Sequence, residues 1–506
     1  HVALGHVSNS EAGLRPLTIT RLRSALESIS QAPQDELSAT DKKLIKRFRS
    51  EFNLADYPLG IQGPWQKKYL KKAFKEELVS YDLARPDPRI LTYRDSLLSF
   101  WGDFRVTAVV ERIDSKKNYL RNADHLRLYG SFNKNLAFYT ELTMHHINAD
   151  TSLIPQFEVY RNEELNFFPE YNSSVWYQTQ SSVYYDGKWL DVQAGNKPFG
   201  WGYSPSYSPI LALEVPPFPF ISLSAKYGSL RFQTLHASLL AHTSEVLHAR
   251  EAKLEKYLAA HRIEVDINKN LTVGFSEMVL YGGRSPELDY MIPVSFFLPV
   301  EHNLGDLDNL LMAFDSYWRI RPGLALYQTL FWDELYWTKA LENWWGNKFI
   351  YQAGIHWVPS GGGGSRYLPD IRLELAVARP WTYSHEDSVN TYTSADIGLG
   401  LPQGPNAQSL LIESTWWPTY RWWLKGSVLW MKKGTVLGSS PLDDHDSRDH
   451  NLDYATPLLL GETINSTEIR LETRYTVSQM VELVVRLRKI STDSDLTGYL
   501  GLIFEW

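Results

Sequence analysis

Residues 468–488 read EIRLETRYTVSQMVELVVRLR, and their alternation decides the fold class. Ile469, Leu471, Tyr475 and Val477 fall on one side of an extended chain, opposite Glu468, Arg470, Glu472 and Arg474. The pattern then repeats, with Val481, Leu483, Val485 and Leu487 opposing Glu482, Arg486 and Arg488. A period of two with apolar and charged faces describes strands with one wet side.

The same period extends over the chain from about Phe104. Phe104, Val106, Ala108 and Val110 alternate with Arg105, Thr107 and Glu111; Leu126, Leu128, Gly130 and Phe132 alternate with His125, Arg127, Tyr129 and Ser131. Ile371, Leu373, Leu375 and Val377 oppose Arg372 and Glu374. A soluble sandwich also alternates, but three features favour a membrane barrel. The wet faces carry charges of both signs, as a water-filled lumen would. Aromatic residues cluster near segment ends, as in Trp416, Trp417, Tyr420, Trp422 and Trp423 or Trp332, Tyr336, Trp337, Trp344 and Trp345, which suits interfacial girdles. The chain ends Tyr499-Leu-Gly-Leu-Ile-Phe504-Glu-Trp506, a pattern that resembles the insertion signal on the last strand of bacterial outer-membrane barrels.

Composition narrows the remaining classes. The 506 residues are 43% hydrophobic, 22% charged and 13% aromatic, with no Cys, which removes disulfide, thiolate and Cys-rich metal chemistry. A net charge of -7 gives no basic footprint for nucleic acid. The longest apolar stretch, Tyr290 to Val300, is too short for a membrane helix and contains Pro293 and Pro299. The chain starts at His1, as expected after removal of a signal peptide, although a trimmed start would read the same.

Residues 1–100 read as a helical region. Ser38-Ala-Thr-Asp41 has capping-box spacing, followed by Leu44, Ile45, Phe48 and Phe52 on one face. Trp65, Tyr69, Leu70, Ala73, Phe74, Leu78 and Tyr81 form a second stripe, bordered by lysines that suit either packing or anionic headgroups. Residues 101–506 form the barrel, with a helix expected over Ser244 to His261. At roughly 20 to 25 residues per hairpin arm, about 400 residues give on the order of 16–18 strands. Asp186-Gly187 and Asn133 to Asn135 read as hairpin turns, and 360–365 and 437–454 as longer connections. The predicted fold is a large antiparallel transmembrane β-barrel preceded by an N-terminal helical region.

Segments in order then resemble the capsule assembly Wzi family of outer-membrane proteins. They are FGWGYSPS from Phe199 and ILAL from Ile210, then YLAAHR from Tyr257 and LTVGFSEMVLYGGR from Leu271. LDNL from Leu307, WDE from Trp332, GNK from Gly346, RPWTYSH from Arg379 and GLPQGPN from Gly400 complete the series. The resemblance implies helices at the periplasmic end of the barrel and a role in holding extracellular polysaccharide at the cell surface.

Several residues could carry chemistry. Glu277 shares a strand face with Leu271, Val273, Phe275, Val279 and Tyr281, which is costly for a carboxylate facing lipid. The strand therefore bulges, changes phase or is covered there, and Glu277 serves either a structural partner such as Arg284 or a ligand. Asp308, Asn309, Asp315, Asp333 and Glu334 form an acidic group near Arg319 and Arg321, with Asp333 directed into the lumen. Such a group suits a lumen ion-pair network, sugar or ion binding, or, less well, paired-carboxylate glycoside hydrolysis. Trp201, Tyr203, Trp381 and Tyr383 are either girdle and turn residues or rings on which sugars stack.

His145, His146, His302 and His356 lack metal-site spacing, so no metal or other cofactor is expected. Ser276 follows Gly274 but lacks the second glycine of a nucleophile elbow. The sequence thus reads as a non-enzymatic outer-membrane barrel that binds or helps assemble extracellular polysaccharide. A porin, or a subunit of a larger envelope assembly, is the alternative. Expected partners are polysaccharide, outer-membrane lipid, the barrel insertion machinery through Tyr499 to Trp506, and an envelope protein.

Overall fold

The computed structural model describes residues 2–9, 13–15, 19–33, 37–52, 60–62, 91–112, 118–133, 135–148, 166–168, 173–205, 207–241, 254–333, 337–339, 342–359, 368–478, 481–492 and 496–505. Its main body is a closed antiparallel barrel of 18 long strands. These are β1 (Leu98–Arg112), β2 (Asn118–Phe132), β3 (Leu136–Ile147), β4 (Ser173–Asp186), β5 (Leu190–Lys197), β6 (Phe218–Tyr227), β7 (Leu230–Ser238), β8 (Lys256–Asp266) and β9 (Leu271–Gly282). The second half holds β10 (Asn309–Arg321), β11 (Leu324–Asp333), β12 (Lys348–Trp357), β13 (Asp370–Ala378), β14 (Ala407–Thr419), β15 (Trp422–Gly434), β16 (Thr463–Ser478), β17 (Val481–Ile490) and β18 (Leu496–Glu505). Each strand pairs with its neighbours in sequence, and β18 closes on β1 with Gly501 opposite Val109. Closure satisfies every edge, which the hydrocarbon of a bilayer demands.

The alternation predicted from sequence sets the two faces of the wall. Along β10, Leu311, Ala313, Asp315 and Tyr317 are buried inward, whereas Phe314 and Trp318 are exposed outward. Outward Leu471, Tyr475, Leu487, Leu500 and Leu502 continue this apolar surface. Connections alternate between a short-turn end (133–135, 187–189, 228–229, 267–270, 322–323, 420–421) and a long-loop end (198–217, 283–308, 379–406, 435–462).

The N-terminal helices α1 (Ile19–Ser30) and α2 (Ala39–Phe52) pack through Val7, Ile29, Ala32, Leu37 and Ile45. The capping box forms as predicted, with the Asp41 backbone N–H donating to Ser38 Oγ at 2.9 Å and the Ser38 N–H donating to Asp41 Oδ2 at 2.8 Å. This region sits at the short-turn end. Arg319 donates to the Val2 carbonyl and to Asn9 Oδ1, and Lys43 lies 4.4 Å over the Tyr420 ring. Leu14–Arg15 pairs with Gly200–Trp201, which carries the N-terminal segment up into the barrel. Gly13 is required at that entry, because a Cβ there would lie 2.7 Å from Glu264 and 2.8 Å from Tyr203.

One predicted helix is corrected. Residues 242–253 lie outside the described residues, but Lys256 to His261 form the start of β8. Ala and Leu there suggest a helix by propensity, yet pairing with β7 and β9 on both sides overrides that preference. The Trp65 to Tyr81 stripe and the four-glycine connection also lie outside the described residues.

Candidate functional site

The lumen is divided into a filled side and a polar side. On the filled side, 198–217 and 379–406 fold inward from the long-loop end against β6 to β13. Phe199, Trp201, Ile210, Leu211, Tyr383, Tyr392, Leu399 and Leu401 pack with Phe220, Leu258, Met278, Phe331 and Ile350 in one buried cluster. The loops also hold each other: Tyr383 Oη donates to the Pro209 carbonyl at 2.8 Å, and Tyr392 Oη donates to the Ile210 carbonyl. Burial pushes both phenols above their ordinary range, so they remain protonated donors.

Polar pins fix this filling to the wall. Asp333, the last residue of β11, accepts the Tyr383 backbone N–H. Lys256 is fully buried and donates from Nζ to the Thr391 carbonyl at 2.8 Å and to Thr393 Oγ1 at 3.2 Å. Deeper in the lumen, Glu374 accepts from Tyr327 Oη at 2.6 Å, Ser204 Oγ at 2.7 Å and Gln352 Nε2 at 3.0 Å.

Below these pins lies a buried ion-pair layer. Arg262 Nη2 is 2.9 Å from both Glu264 and Asp315, and Nη1 donates to Ser276 at 3.0 Å. Arg231 adds a second pair to Glu264 at 3.0 Å, and Tyr203 Oη donates to the same carboxylate at 3.0 Å. Gly274 makes the room, since a Cβ there would lie 2.2 Å from Asp315 and 2.7 Å from Arg262.

The residues singled out from sequence fall into three places. Trp201, Tyr203, Trp381 and Tyr383 are each at most 2% exposed, so their rings offer no stacking surface while the loops are seated. Trp201 instead donates to Gln233 at 2.8 Å, and Trp381 and Tyr383 take positive φ values of 69° and 76° in the turn that starts the second loop. Asp333 points inward as expected, and buried Asn309 donates to the Asn390 carbonyl at 2.9 Å. Glu334 lies outside the described residues.

Glu277, Arg284 and Asp308 belong to the outer wall instead. The connection 283–308 folds back over β8 and β9, burying Tyr290 and Phe297 against Ala259, Val279 and Tyr281. Glu277 accepts the Leu298 backbone N–H at 3.2 Å, at the start of a short helix, α3 (Phe297–Leu304). The strand is therefore covered at the carboxylate, and a helix N-terminus meets its charge. Arg284 is not the partner of Glu277. It grips Asp308 with both terminal nitrogens at 2.9 and 2.6 Å, and Tyr290 Oη donates to Asp308 at 2.8 Å. Glu277→Ala is expected to loosen this strap by about 1–2 kcal/mol. Faster tryptic cleavage at Arg284 in the folded barrel would show it.

Val294 and Phe296 on the strap are more than three-quarters exposed. Glu301, His302 and Asp306 at its far end bring their ligand atoms within 4.8 Å of one another, and His302 Nε2 is 3.8 Å from Asp306.

The polar side of the lumen holds a cavity of about 380 Å³ that sequence reasoning did not assemble. Strands β14 to β18, β1 and β2 line it, with Tyr207 and Glu214 of the inward loop forming the opposing wall. Its signal was present in the wet faces of 468–488, but the strand pairing and the loop that completes it are long-range.

A closed 18-strand wall with an apolar outside and a charged inside defines a bacterial outer-membrane β-barrel. Neither a family model nor a curated protein matches the sequence. Among solved structures, the chain is similar to Wzi of Escherichia coli, described as an outer-membrane protein involved in group 1 capsule assembly and a carbohydrate-binding β-barrel. The TM-score is 0.58 at 12% identity, over 99% of this chain and 96% of that one, a likeness of fold. OprD of Pseudomonas aeruginosa matches over 80% of this chain and 94% of its own, with a TM-score of 0.41 at 11% identity. OccAB2 of Acinetobacter baumannii matches over 80% and 98%, with a TM-score of 0.43 at 9% identity.

Proposed function

We propose that this barrel binds extracellular polysaccharide and holds it at the cell surface without transforming it. The supporting observation is the likeness of fold to a carbohydrate-binding barrel over 99% of this chain and 96% of that one. The filled side of the lumen agrees with this reading, because seated loops and an N-terminal segment obstruct passage while presenting a fixed outer surface. Outer-membrane barrels place short turns in the periplasm and long loops outside. On that rule α1 and α2 lie on the periplasmic side, where they can meet an envelope partner, and 198–217 and 379–406 are entered from the exterior. Trp201, Tyr203, Asp333, Trp381 and Tyr383 act here as positioning residues that seat the loops.

The test uses detergent-purified barrel, shown folded by heat-modifiable gel migration, and polysaccharide from the producing organism. Saturable binding is expected, weakened by Trp201→Ala and Asp333→Ala as the loops unseat. A second reading, a solute channel, is favoured by the charged cavity on the polar side. Steady conductance in a planar bilayer, with no polysaccharide binding, would establish the channel and remove the attachment role.

A further inference from the structure

We infer that the cavity on the polar side of the lumen is a binding site for the carboxylate of an acidic sugar. The charge balance of β16 and β17 carries the assignment. Four guanidiniums share two carboxylates there, and of these Arg470, Arg486, Arg488 and Glu472 line the cavity. Arg470 Nε lies 2.6 Å from Glu468, which also takes Arg488; Arg474 lies 2.8 Å from Glu472, which also takes Arg486 at 3.4 Å. Each of the four arginine side chains is still 40–45% exposed. Ion pairs that engage mainly the Nε edge leave positive charge in excess of negative, on planar groups suited to bidentate carboxylate recognition.

Counted over the lining, Arg121, Lys425, Arg470, Arg486 and Arg488 face Glu111, Glu214, Glu413 and Glu472, five cations against four carboxylates. Lys425 and Arg372 both reach Glu413, at 2.9 and 2.8 Å, and Arg121 reaches Glu111 at 3.5 Å. Glu214 on the inward loop supplies one further negative charge. Aromatic surface is also present: Tyr499 has the Arg486 guanidinium 4.8 Å from its ring centre, and Tyr207 lines the facing wall. A volume of about 380 Å³ falls in the range of small-ligand sites, which suits a short acidic oligosaccharide or the end of a longer chain. The assignment rests on the polysaccharide reading for its ligand being a sugar; the charge argument is independent of it.

Isothermal titration of the intact folded barrel with trigalacturonate, beside maltotriose as a neutral trisaccharide, tests the site. Trigalacturonate is expected to bind saturably, more weakly at high salt, and more tightly than maltotriose. Arg486→Gln and Arg488→Gln are each expected to weaken it by about tenfold or more. Glu472→Gln is expected to tighten it, since that variant removes competing negative charge, an outcome that general damage to the barrel would not produce. Equal binding of the two trisaccharides, or unchanged affinity in both arginine variants, would overturn the site. Binding of the native polysaccharide without trigalacturonate binding would overturn the site and leave surface attachment standing. Trigalacturonate binding without polysaccharide binding would support the site and remove the attachment role.

Discussion

Arg262→Ala is expected to give the largest loss of barrel stability of any single substitution considered, about 3–5 kcal/mol. Arg262 is 1% exposed and compensates both Glu264 and Asp315, which are at most 2% exposed. Removing it leaves Asp315 without the cation that its burial requires, and leaves Glu264 with Arg231. The cost of leaving Asp315 buried without a cation far exceeds the small gain from removing an arginine. Tyr203 would also lose the guanidinium that lies 5.7 Å from its ring centre, so the damage spreads to the first inward loop. The temperature at which the compact gel form is lost reports the effect. A midpoint within a degree or two of the parent would show that water enters this layer and screens it.

The second large effect concerns the filling of the lumen. Lys256→Met and Asp333→Ala together remove two of the polar pins that tie 379–406 to the wall and leave the one from Asn309 to the Asn390 carbonyl. Each breaks hydrogen bonds to a buried charged group, worth about 1.5–3 kcal/mol. The barrel wall itself has its own pairing on both sides at β8 and β11, so the variant is expected to remain folded while the loop leaves its seat. In a planar bilayer the parent is expected to be nearly silent and the double variant to show sustained openings. Silence in the double variant, with heat-modifiable migration intact, would show that the apolar cluster around Tyr383, Tyr392 and Leu399 and the Asn309 contact hold the loop without those two pins.

Much of this molecule was legible because strand alternation is local. Whether Arg470 faces water and Leu471 faces lipid depends only on residues next to them and on which face of the wall is apolar. The same logic placed Asp333 inward and exposed the conflict at Glu277, where a carboxylate occupies an apolar face. It could not supply the resolution, because the strap that covers Glu277 arrives from Leu298, 21 residues away, and Arg284 is taken by Asp308 instead. The helix read over Ser244 to His261 failed in its described part for the converse reason: local propensity was read where strand neighbours decided.

The sequence by itself determined the wall: its class, its approximate strand number, its wet and dry faces, and the capping box of the helix that begins after Ser38. Only the tertiary structure decided what the wall encloses. Contacts such as Tyr383 to Pro209, 174 residues apart, and Ser204 to Glu374, 170 apart, seat two loops on one side of the lumen and turn aromatic candidates into anchors. The same closure brings β16 and β17 beside β1 and β2, and so gathers arginines that look like ordinary wet-face charges into one cavity. Alternation is set by the pleat of a single strand, whereas enclosure depends on which distant segments the closed barrel brings face to face.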